Sequence, residues 1–313
     1  LLLWYKMDEG GGTLVGDASG NGNNGIMIGG EGWTTGRSGN AANLTGSNYI
    51  KLPDGIMSGI TDFTITAWER QSKVSSWQRL FDFGTGLTHY MYFTLYDGSS
   101  LRFAMNKNNS WQEIITAAIN DPGTWHHIAI SKSGSTVIIY VDGVKYAESD
   151  SITYNPSDLG NTTQTYIGKS QYSADANFMG QIDDFRIYSR GLTEAEIQNV
   201  IGETVTDEEA VAINKASLDL GDTFAVTENL NLKTQGTIGV SITWESSDPE
   251  HVSNTGVIKR PGEGEEAVTV TLTATLKKNA VTDTKVFTVT LLPMGATPYV
   301  INIDADRKGV DIN

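Results

Sequence analysis

Oxygen-bearing side chains and glycines are concentrated in one short stretch near the start of the chain. Residues 17–25 read Asp-Ala-Ser-Gly-Asn-Gly-Asn-Asn-Gly, so Asp17, Ser19 and Asn21 stand at alternate positions and a glycine follows them. A loop of this composition suits a hard cation such as Ca2+, which prefers oxygen ligands and a sharp turn. We therefore predict a structural calcium ion, with ligands among Asp17, Ser19, Asn21 and Asn24 plus backbone carbonyls, completed by Asp183 from a later strand. The alternative is a metal-free turn of glycine and asparagine.

The same loop partly matches two other motifs, a dinucleotide-binding loop and an EF-hand, but its neighbouring residues exclude both. Gly20, Gly22 and Gly25 satisfy the dinucleotide-binding spacing, but the residues after them form only a three-residue apolar run before two more glycines, where a helix would be required. An EF-hand loop ends in a bidentate glutamate, and the corresponding position is Ile28. The loop is therefore predicted to serve neither of these functions.

Aromatic residues in the middle of the chain are candidates for binding sugar. Sugar rings need flat apolar faces together with a few fixed polar groups. Trp77 and Trp111 stand among polar residues, which favours exposure, and Tyr90, Tyr92 and Tyr96 share one face of a predicted strand at period two. These five residues form the predicted carbohydrate site. The alternative is that they pack against each other or against a neighbouring module. Four other tryptophans are expected in the hydrophobic core, namely Trp4, Trp68, Trp125 and Trp244.

No catalytic constellation is predicted from the sequence. The adjacent His126 and His127 would point to opposite faces of a strand, one buried and one exposed, so they cannot hold a metal together. The chain lacks the nucleophile elbow of a serine hydrolase, and adjacent carboxylates such as Asp183 and Asp184 do not make the facing pair of a glycosidase. We assign no catalysis to this chain.

Composition limits the partners and the available chemistry. The chain has 313 residues and a formal net charge of −15, which opposes binding to nucleic acid and to anionic membranes. It contains no cysteine, so disulfides and thiolate chemistry are excluded. No segment has the length and apolarity of a transmembrane helix, and the opening leucines lack the features of a signal peptide. The chain opens abruptly at a predicted strand, so we expect that its native start was trimmed.

Short alternating segments separated by turn residues predict an antiparallel sandwich up to about residue 188. The predicted strands are 2–7, 41–44, 49–52, 63–70, 79–83, 90–96, 101–106, 113–118, 125–131, 136–141, 164–168 and 181–188. Asp142 and Gly143 predict a tight hairpin turn. Thr193 and Glu196 form a capping box that predicts a short helix over 192–198.

A second β unit is predicted after a connecting helix. A second capping signal begins at Thr206 and predicts a helix over 206–216. Strands are then predicted over 241–247, 256–261, 267–276 and 285–292. The domain boundaries are predicted as 1–202, a linker with a short helix over 203–221, a β domain over 222–293, and the start of a further module over 294–313.

The first part of the chain resembles the bacterial laminin-G-like, concanavalin-A-like lectin domain. The resemblance rests on seven landmarks in order, among them the Asp17 loop, the segment Phe63-Thr64-Ile65-Thr66-Ala67-Trp68 and the segment Ile182-Asp183-Asp184-Phe185-Arg186-Ile187-Tyr188. It implies an all-β, two-sheet jelly roll, a structural calcium near the Asp17 loop and attachment to a glycosidase. It does not imply a particular sugar.

The rest of the chain resembles accessory parts of glycosidases. Residues 222–293 resemble an atypical bacterial immunoglobulin-like β-sandwich with Trp244 as a core anchor, and the segment from Ala296 resembles the opening strand of family 51 α-L-arabinofuranosidases. These resemblances imply a non-catalytic accessory region of a secreted or cell-surface bacterial arabinofuranosidase. Its expected partners are a neutral polysaccharide, arabinan or arabinoxylan, and the downstream catalytic domain. The alternative is a structural or adhesive module that docks a protein and binds no sugar.

Overall fold

The computed structural model describes residues 1–296. These residues divide into two compact units, Leu1–Val205 and a second unit that begins at Thr206. The boundary therefore falls inside the predicted linker, and the helix that follows Thr206 belongs to the second unit. The strands of the first unit are β1 (Leu3–Tyr5), β2 (Leu14–Val15), β3 (Gly25–Ile28), β4 (Trp33–Thr35), β5 (Asn40–Thr45), β6 (Tyr49–Lys51), β7 (Phe63–Gln71), β8 (Arg79–Gly84), β9 (His89–Thr94), β10 (Ser100–Lys107), β11 (Ser110–Ala117), β12 (His126–Ser133), β13 (Thr136–Val141), β14 (Val144–Ser149), β15 (Gln164–Ile167) and β16 (Met179–Tyr188). A 3₁₀ helix at Pro156–Leu159 precedes β15, and α1 spans Glu194–Gly202.

Two antiparallel sheets of eight strands form the first unit. Sheet A has the order β14-β13-β12-β7-β16-β5-β4, with β1 also paired to β16, and sheet B has the order β11-β10-β9-β8-β15-β6-β3-β2. The chain passes repeatedly from one sheet to the other, which confirms the predicted two-sheet jelly roll.

The core lies between the sheets, because successive side chains of the sheet B strands point alternately to the inner and the outer face. In β9, for example, Met91 and Phe93 belong to the main hydrophobic cluster, whereas Tyr90 and Tyr92 point to the opposite face of the sheet. The same alternation in β10 sends Phe103 into that cluster. The outer face of sheet B is therefore available to carry other side chains.

The end of the first unit covers the outer face of sheet A. Thr193 caps α1 and Glu196 completes the capping box, as the sequence predicts. Leu192 donates its backbone N–H to the Thr64 hydroxyl at 2.8 Å, and the Trp68 indole donates to the Thr204 hydroxyl at 2.8 Å. Sheet A is thus buried on both sides along β7, while sheet B keeps one face open.

The second unit is a reduced β structure. Helix α2 (Asp207–Ser217) begins at the Thr206 cap and contacts two strands of a three-stranded antiparallel sheet made of β17 (Ser241–Ser246), β18 (Val268–Lys278) and β19 (Val281–Leu291). Trp244 is 8% exposed and its ring lies 5.6 Å from that of Phe287, as expected for a core anchor.

One strand prediction in the second unit is wrong. The segment predicted as a strand over 256–261 contributes only an isolated bridge between Val252 and Ile258. Gly256 has a positive φ of 83°, and the N–H of Ile258 is donated to the Asn229 side chain instead of to a neighbouring strand. The module predicted to start at residue 294 lies almost wholly outside the described residues.

Candidate functional site

A cleft of about 470 Å³ lies on the outer face of sheet B. Its lining residues are aromatic or charged: Trp77, Arg79, Tyr90, Tyr92, Arg102, Trp111, Glu113, Tyr172 and Asp175. A volume of this size is in the range of about 300–1,000 Å³ that small-molecule sites occupy. The cleft therefore combines the flat apolar faces and the polar groups that the sequence argument requires.

Strand register brings the cleft residues together. Ala104 of β10 lies opposite Tyr92 of β9 on one side and Glu113 of β11 on the other. Asn106 lies in the same way between Tyr90 and Trp111. Because Ala104 has a short side chain, the larger side chains around it leave a depression in the middle of the sheet face.

The floor and the walls of the cleft have different roles. Tyr90 and Tyr92 are 0% and 2% exposed, and their rings stack at 6.0 Å, so they form the floor. Trp111 is 42% exposed and meets Tyr90 edge-on at 5.5 Å, and Tyr172 is 36% exposed and meets Tyr90 at 6.0 Å. The ring faces that a ligand can reach are therefore those of Trp111 and Tyr172, together with the half-buried Trp77.

The tyrosine hydroxyls supply polar groups at the floor. The Tyr90 and Tyr172 hydroxyls are hydrogen-bonded at 2.9 Å. Burial raises the pKa of Tyr92 to about 12, and burial together with the Tyr172 hydrogen bond also raises the pKa of Tyr90. Both phenols thus stay protonated, and the Tyr90 hydroxyl shares its hydrogen bond with that of Tyr172.

Two arginines stand against the aromatic rings. The guanidinium carbon of Arg79 lies 4.0 Å from the centre of the Tyr92 ring, and those of Arg79 and Arg102 each lie 5.2 Å from the centre of the Trp77 ring. Arg79 is bonded to Asp175 at 3.1 Å, and Arg102 to Glu113 at 3.2 Å. Both arginines are therefore held in place by cation–π contacts and ion pairs.

Four of the five predicted carbohydrate residues line this cleft, namely Trp77, Tyr90, Tyr92 and Trp111. Tyr96 does not, because β9 ends at Thr94 and the period-two pattern stops there. The backbone carbonyl of Tyr96 accepts the Trp77 N–H at 2.9 Å, so this residue supports the loop that carries Trp77.

The other cleft residues carry no sequence pattern that distinguishes them. Arg79, Arg102 and Glu113 occupy the positions expected of solvent-facing charges on strands, and only their register with the tyrosines distinguishes them. Tyr172 and Asp175 lie in the loop that follows β15, for which no periodic signal exists.

The predicted calcium loop is held by hydrogen bonds. One carboxylate oxygen of Asp17 accepts the N–H groups of Trp4 at 3.0 Å and Ser19 at 2.9 Å. The other accepts the Ser19 hydroxyl at 2.9 Å and the Asn23 N–H at 2.8 Å. Burial alone would raise the pKa of Asp17, but these hydrogen bonds outweigh it and hold the pKa below its usual value. The four lone-pair sites of this carboxylate are all used.

The remaining predicted ligands are also engaged. Asn24 accepts the Asp17 N–H at 2.8 Å, and the Asn21 amide donates to the Leu2 carbonyl at 3.0 Å. Asp183 accepts the N–H groups of Arg37 at 2.8 Å and Ser38 at 3.1 Å, and burial raises its pKa to about 7.

The surroundings of Asp183 differ from those of Asp17. Asp183 lines a polar cavity of about 210 Å³ with Asp8 and Ser38, and Asp8 also borders the depression beside Asp17. Within residues 1–296, no group of three or more histidine, aspartate or glutamate side chains is arranged to hold a metal ion. A calcium ion on Asp17 would have to replace existing hydrogen-bond donors, so calcium binding stays a prediction.

The fold and the sequence together define the class of each unit. Residues 44–198 match the family described as the concanavalin A-like lectin/glucanases superfamily, and residues 206–294 match the atrophied bacterial Ig domain. The first unit belongs to that superfamily, and the second is an atrophied bacterial immunoglobulin domain.

Similarity to a curated protein covers much of this chain. An α-L-arabinofuranosidase of Bifidobacterium longum subsp. longum is 29% identical in an alignment of 213 residues that covers 66% of this chain and 18% of the relative. The chain thus spans less than a fifth of the length of that relative.

Two solved structures share the fold. Domain 4 of AbnA, a GH43 extracellular arabinanase from Geobacillus stearothermophilus solved in complex with arabinotriose, matches with a TM-score of 0.55 at 24% identity, covering 64% of this chain and 97% of that domain. The binding domain of botulinum neurotoxin DC, in complex with rat synaptotagmin II, matches with a TM-score of 0.51 at 13% identity, covering 94% of this chain and 78% of that one. Neither helix in residues 1–296 has the length and apolar character needed to cross a bilayer.

Proposed function

We propose that the first unit is a non-catalytic sugar-binding module that serves a secreted or cell-surface α-L-arabinofuranosidase. The observation that carries this proposal is the cleft on sheet B, where exposed faces of Trp111 and Tyr172 stand beside phenol hydroxyls and ion-paired side chains. Apolar ring faces and a few fixed polar groups are the two requirements of a sugar site.

The proposed ligand is a neutral arabinose-containing plant polysaccharide, arabinan or arabinoxylan. The curated relative is named an α-L-arabinofuranosidase, and the related domain of the arabinanase was solved with arabinotriose. The net charge of −15 opposes binding to an anionic chain. The parent activity, the downstream catalytic module and the extracellular location are parts of this proposal.

Binding at this open cleft is expected to be weak. Stacking of one or two sugar rings leaves a few kcal/mol after the entropy costs of association, so we expect dissociation constants of about 0.1–1 mM. Such affinities are useful when the module is tethered to an enzyme, because tethering raises the effective concentration of the substrate.

Calorimetric titration with arabinotriose tests the proposal. Trp111→Ala and Trp77→Ala should each weaken binding about 3- to 10-fold, since each removes one stacking face. Tyr146→Ala is a matched control, because Tyr146 is 38% exposed on β14 and does not line the cleft. Absence of any heat of binding at millimolar sugar in the folded wild-type chain would contradict the proposal and favour a module that docks protein.

A further inference from the structure

Each guanidinium of the cleft is flanked by two carboxyl groups. Arg102 is bonded to Asp97 at 2.9 Å and to Glu113 at 3.2 Å. Arg79 is bonded to Asp175 at 3.1 Å and lies 3.5 Å from Asp82. A cleft with two unpaired arginines would attract acidic sugars, but here four carboxylates surround two cations.

The four carboxylates differ in what a ligand can reach. Asp82 is 0% and Asp97 8% exposed, and Asp97 also accepts the N–H groups of Ser99 at 3.0 Å and Ser100 at 2.8 Å. These two groups are fixed behind the arginines. The Glu113 side chain, in contrast, is 33% exposed and lies on β11, the edge strand of sheet B.

Glu113 occupies the position that a ligand carboxylate would take. Its oxygen accepts one N–H of Arg102, and Arg102 itself is 24% exposed along its side chain. Arginine binds carboxylates in a planar, directional manner, so a uronate would have to displace Glu113 or approach it at close range. Either event opposes binding of an acidic sugar and leaves a neutral sugar unaffected.

From these contacts we infer that Glu113, by occupying Arg102, makes the cleft selective for neutral glycans over uronate-bearing glycans. The inference rests on the proposed sugar-binding function and adds a specificity-determining residue to it. Specificity of this kind depends on a repulsive element as well as on attractive contacts. A neutral ligand contacts hydroxyl groups, aromatic rings and ion pairs in the cleft, whereas an acidic ligand is also repelled by the Glu113 carboxylate.

The test compares arabinotriose with trigalacturonic acid on the whole chain, by calorimetry at low ionic strength. We expect the wild type to prefer the neutral trisaccharide by at least about fivefold, the effect of one like-charge contact in water. Glu113→Gln keeps the shape of the side chain but removes the negative charge beside Arg102, whose ion pair with Asp97 remains. Binding of the acidic trisaccharide should therefore rise by about the same factor. Glu148→Gln is the matched control, because Glu148 pairs with Lys145 on β14, outside the cleft.

The outcomes separate this inference from the function on which it rests. Stronger acidic binding in Glu113→Gln, with the control unchanged, supports the assignment. Equal or better acidic binding in the wild type, or no gain in the variant, overturns the inference while sugar binding itself stands. If the wild type binds neither trisaccharide, the proposed function fails and this inference fails with it. Circular dichroism of both variants verifies that they are folded.

Discussion

Glu69 is a buried carboxyl group in the middle of sheet A. It is 1% exposed, its cross-strand partner is His126, and one of its carboxyl oxygens has no hydrogen-bond partner within the described part of the chain. Burial raises its pKa to about 8, against an ordinary value of 4.5. The folded protein therefore holds a proton on Glu69 that the unfolded chain has already lost at neutral pH.

This residue predicts how stability depends on pH. Between about pH 4.5 and pH 8 the unfolded state binds fewer protons than the folded state, so the free energy of unfolding falls as the pH rises. The contribution is fully present below about pH 4.5 and is lost by about pH 8. Glu69→Gln removes the titrating group. The free energy of unfolding should then fall less between these two pH values, by on the order of a few kcal/mol.

Urea denaturation at several pH values measures the effect. The slope should shrink without vanishing, because Asp82 and Asp183 also have pKa values raised to about 7 by burial. A hydrogen bond to Asp142 raises the pKa of His126, which changes stability in the same direction. Glu148→Gln serves as the exposed control, and an identical slope in Glu69→Gln and wild type would contradict the assignment.

Some cleft residues were predictable, because a sequence pattern indicated that they are exposed or share one face of a strand. Tyr90 and Tyr92 follow from period two, and Trp111 follows from its polar neighbours. Arg79 and Arg102 could not be predicted, because their place in the cleft depends on which strands are neighbours, and Tyr172 could not because it lies in a loop without periodicity. The predicted split of the histidine pair holds only in part, since His127 is 0% exposed and His126 has a side chain that is only 16% exposed. Trp68 is buried as expected, whereas Trp4 and Trp125 are half-buried.

At the scale of elements, the hairpin between β13 and β14 links its turn to helix α1. Asp142 and Gly143 both have positive φ, of 51° and 79°, which is the geometry of the predicted tight turn. A Cβ atom added to Gly143 would lie 3.1 Å from the Ile201 side chain and 3.3 Å from that of Gln198, both in α1. The turn therefore requires glycine for its backbone and for its packing.

Gly143→Ala should lower the free energy of unfolding by about 1–2 kcal/mol, through the left-handed backbone and the close contact with α1. Gly134→Ala provides the matched control, because Gly134 also has a positive φ, of 59°, but has open space around it. The difference between the two variants in chemical denaturation isolates the packing contribution. Equal losses in both would show that the helix contact contributes nothing.

Most long strands were predictable from alternation, and the short ones were not. The predicted strand over 136–141 coincides with β13, and the helices and their caps are confirmed at Thr193 and Thr206. Strands β2 and β4 have two and three residues, too few for any periodicity to appear. Trp111, which lies outside the predicted strand over 113–118, stands near the start of β11, the edge strand of sheet B.

At the scale of the whole molecule, the calcium prediction can be tested by unfolding. If calcium binds the first unit, the melting temperature should rise with added calcium and fall with chelator, by an amount equivalent to about 2.7 kcal/mol at a hundredfold excess over the dissociation constant. Asp183→Asn and Asp17→Asn should each reduce this calcium-dependent increment.

The increment is the correct readout, because Asp17→Asn also alters hydrogen bonds to Trp4, Ser19 and Asn23 that stabilise the loop without any metal. Loss of stability in Asp17→Asn, with identical melting in calcium and in chelator for the wild type, would mean that the loop works through hydrogen bonds alone.

The cleft is assembled almost entirely from one continuous stretch of chain. Seven of its nine lining residues fall between Trp77 and Glu113, on the consecutive strands β8 to β11 and the turn before them. Sheet A, by comparison, pairs Leu3 of β1 with Ile187 of β16, at opposite ends of the first unit. Closing a short loop costs less conformational entropy than joining distant segments. The ordering cost of this cleft is therefore mainly that of a few successive hairpins, and long-range closure of the sandwich adds only the loop that carries Tyr172 and Asp175.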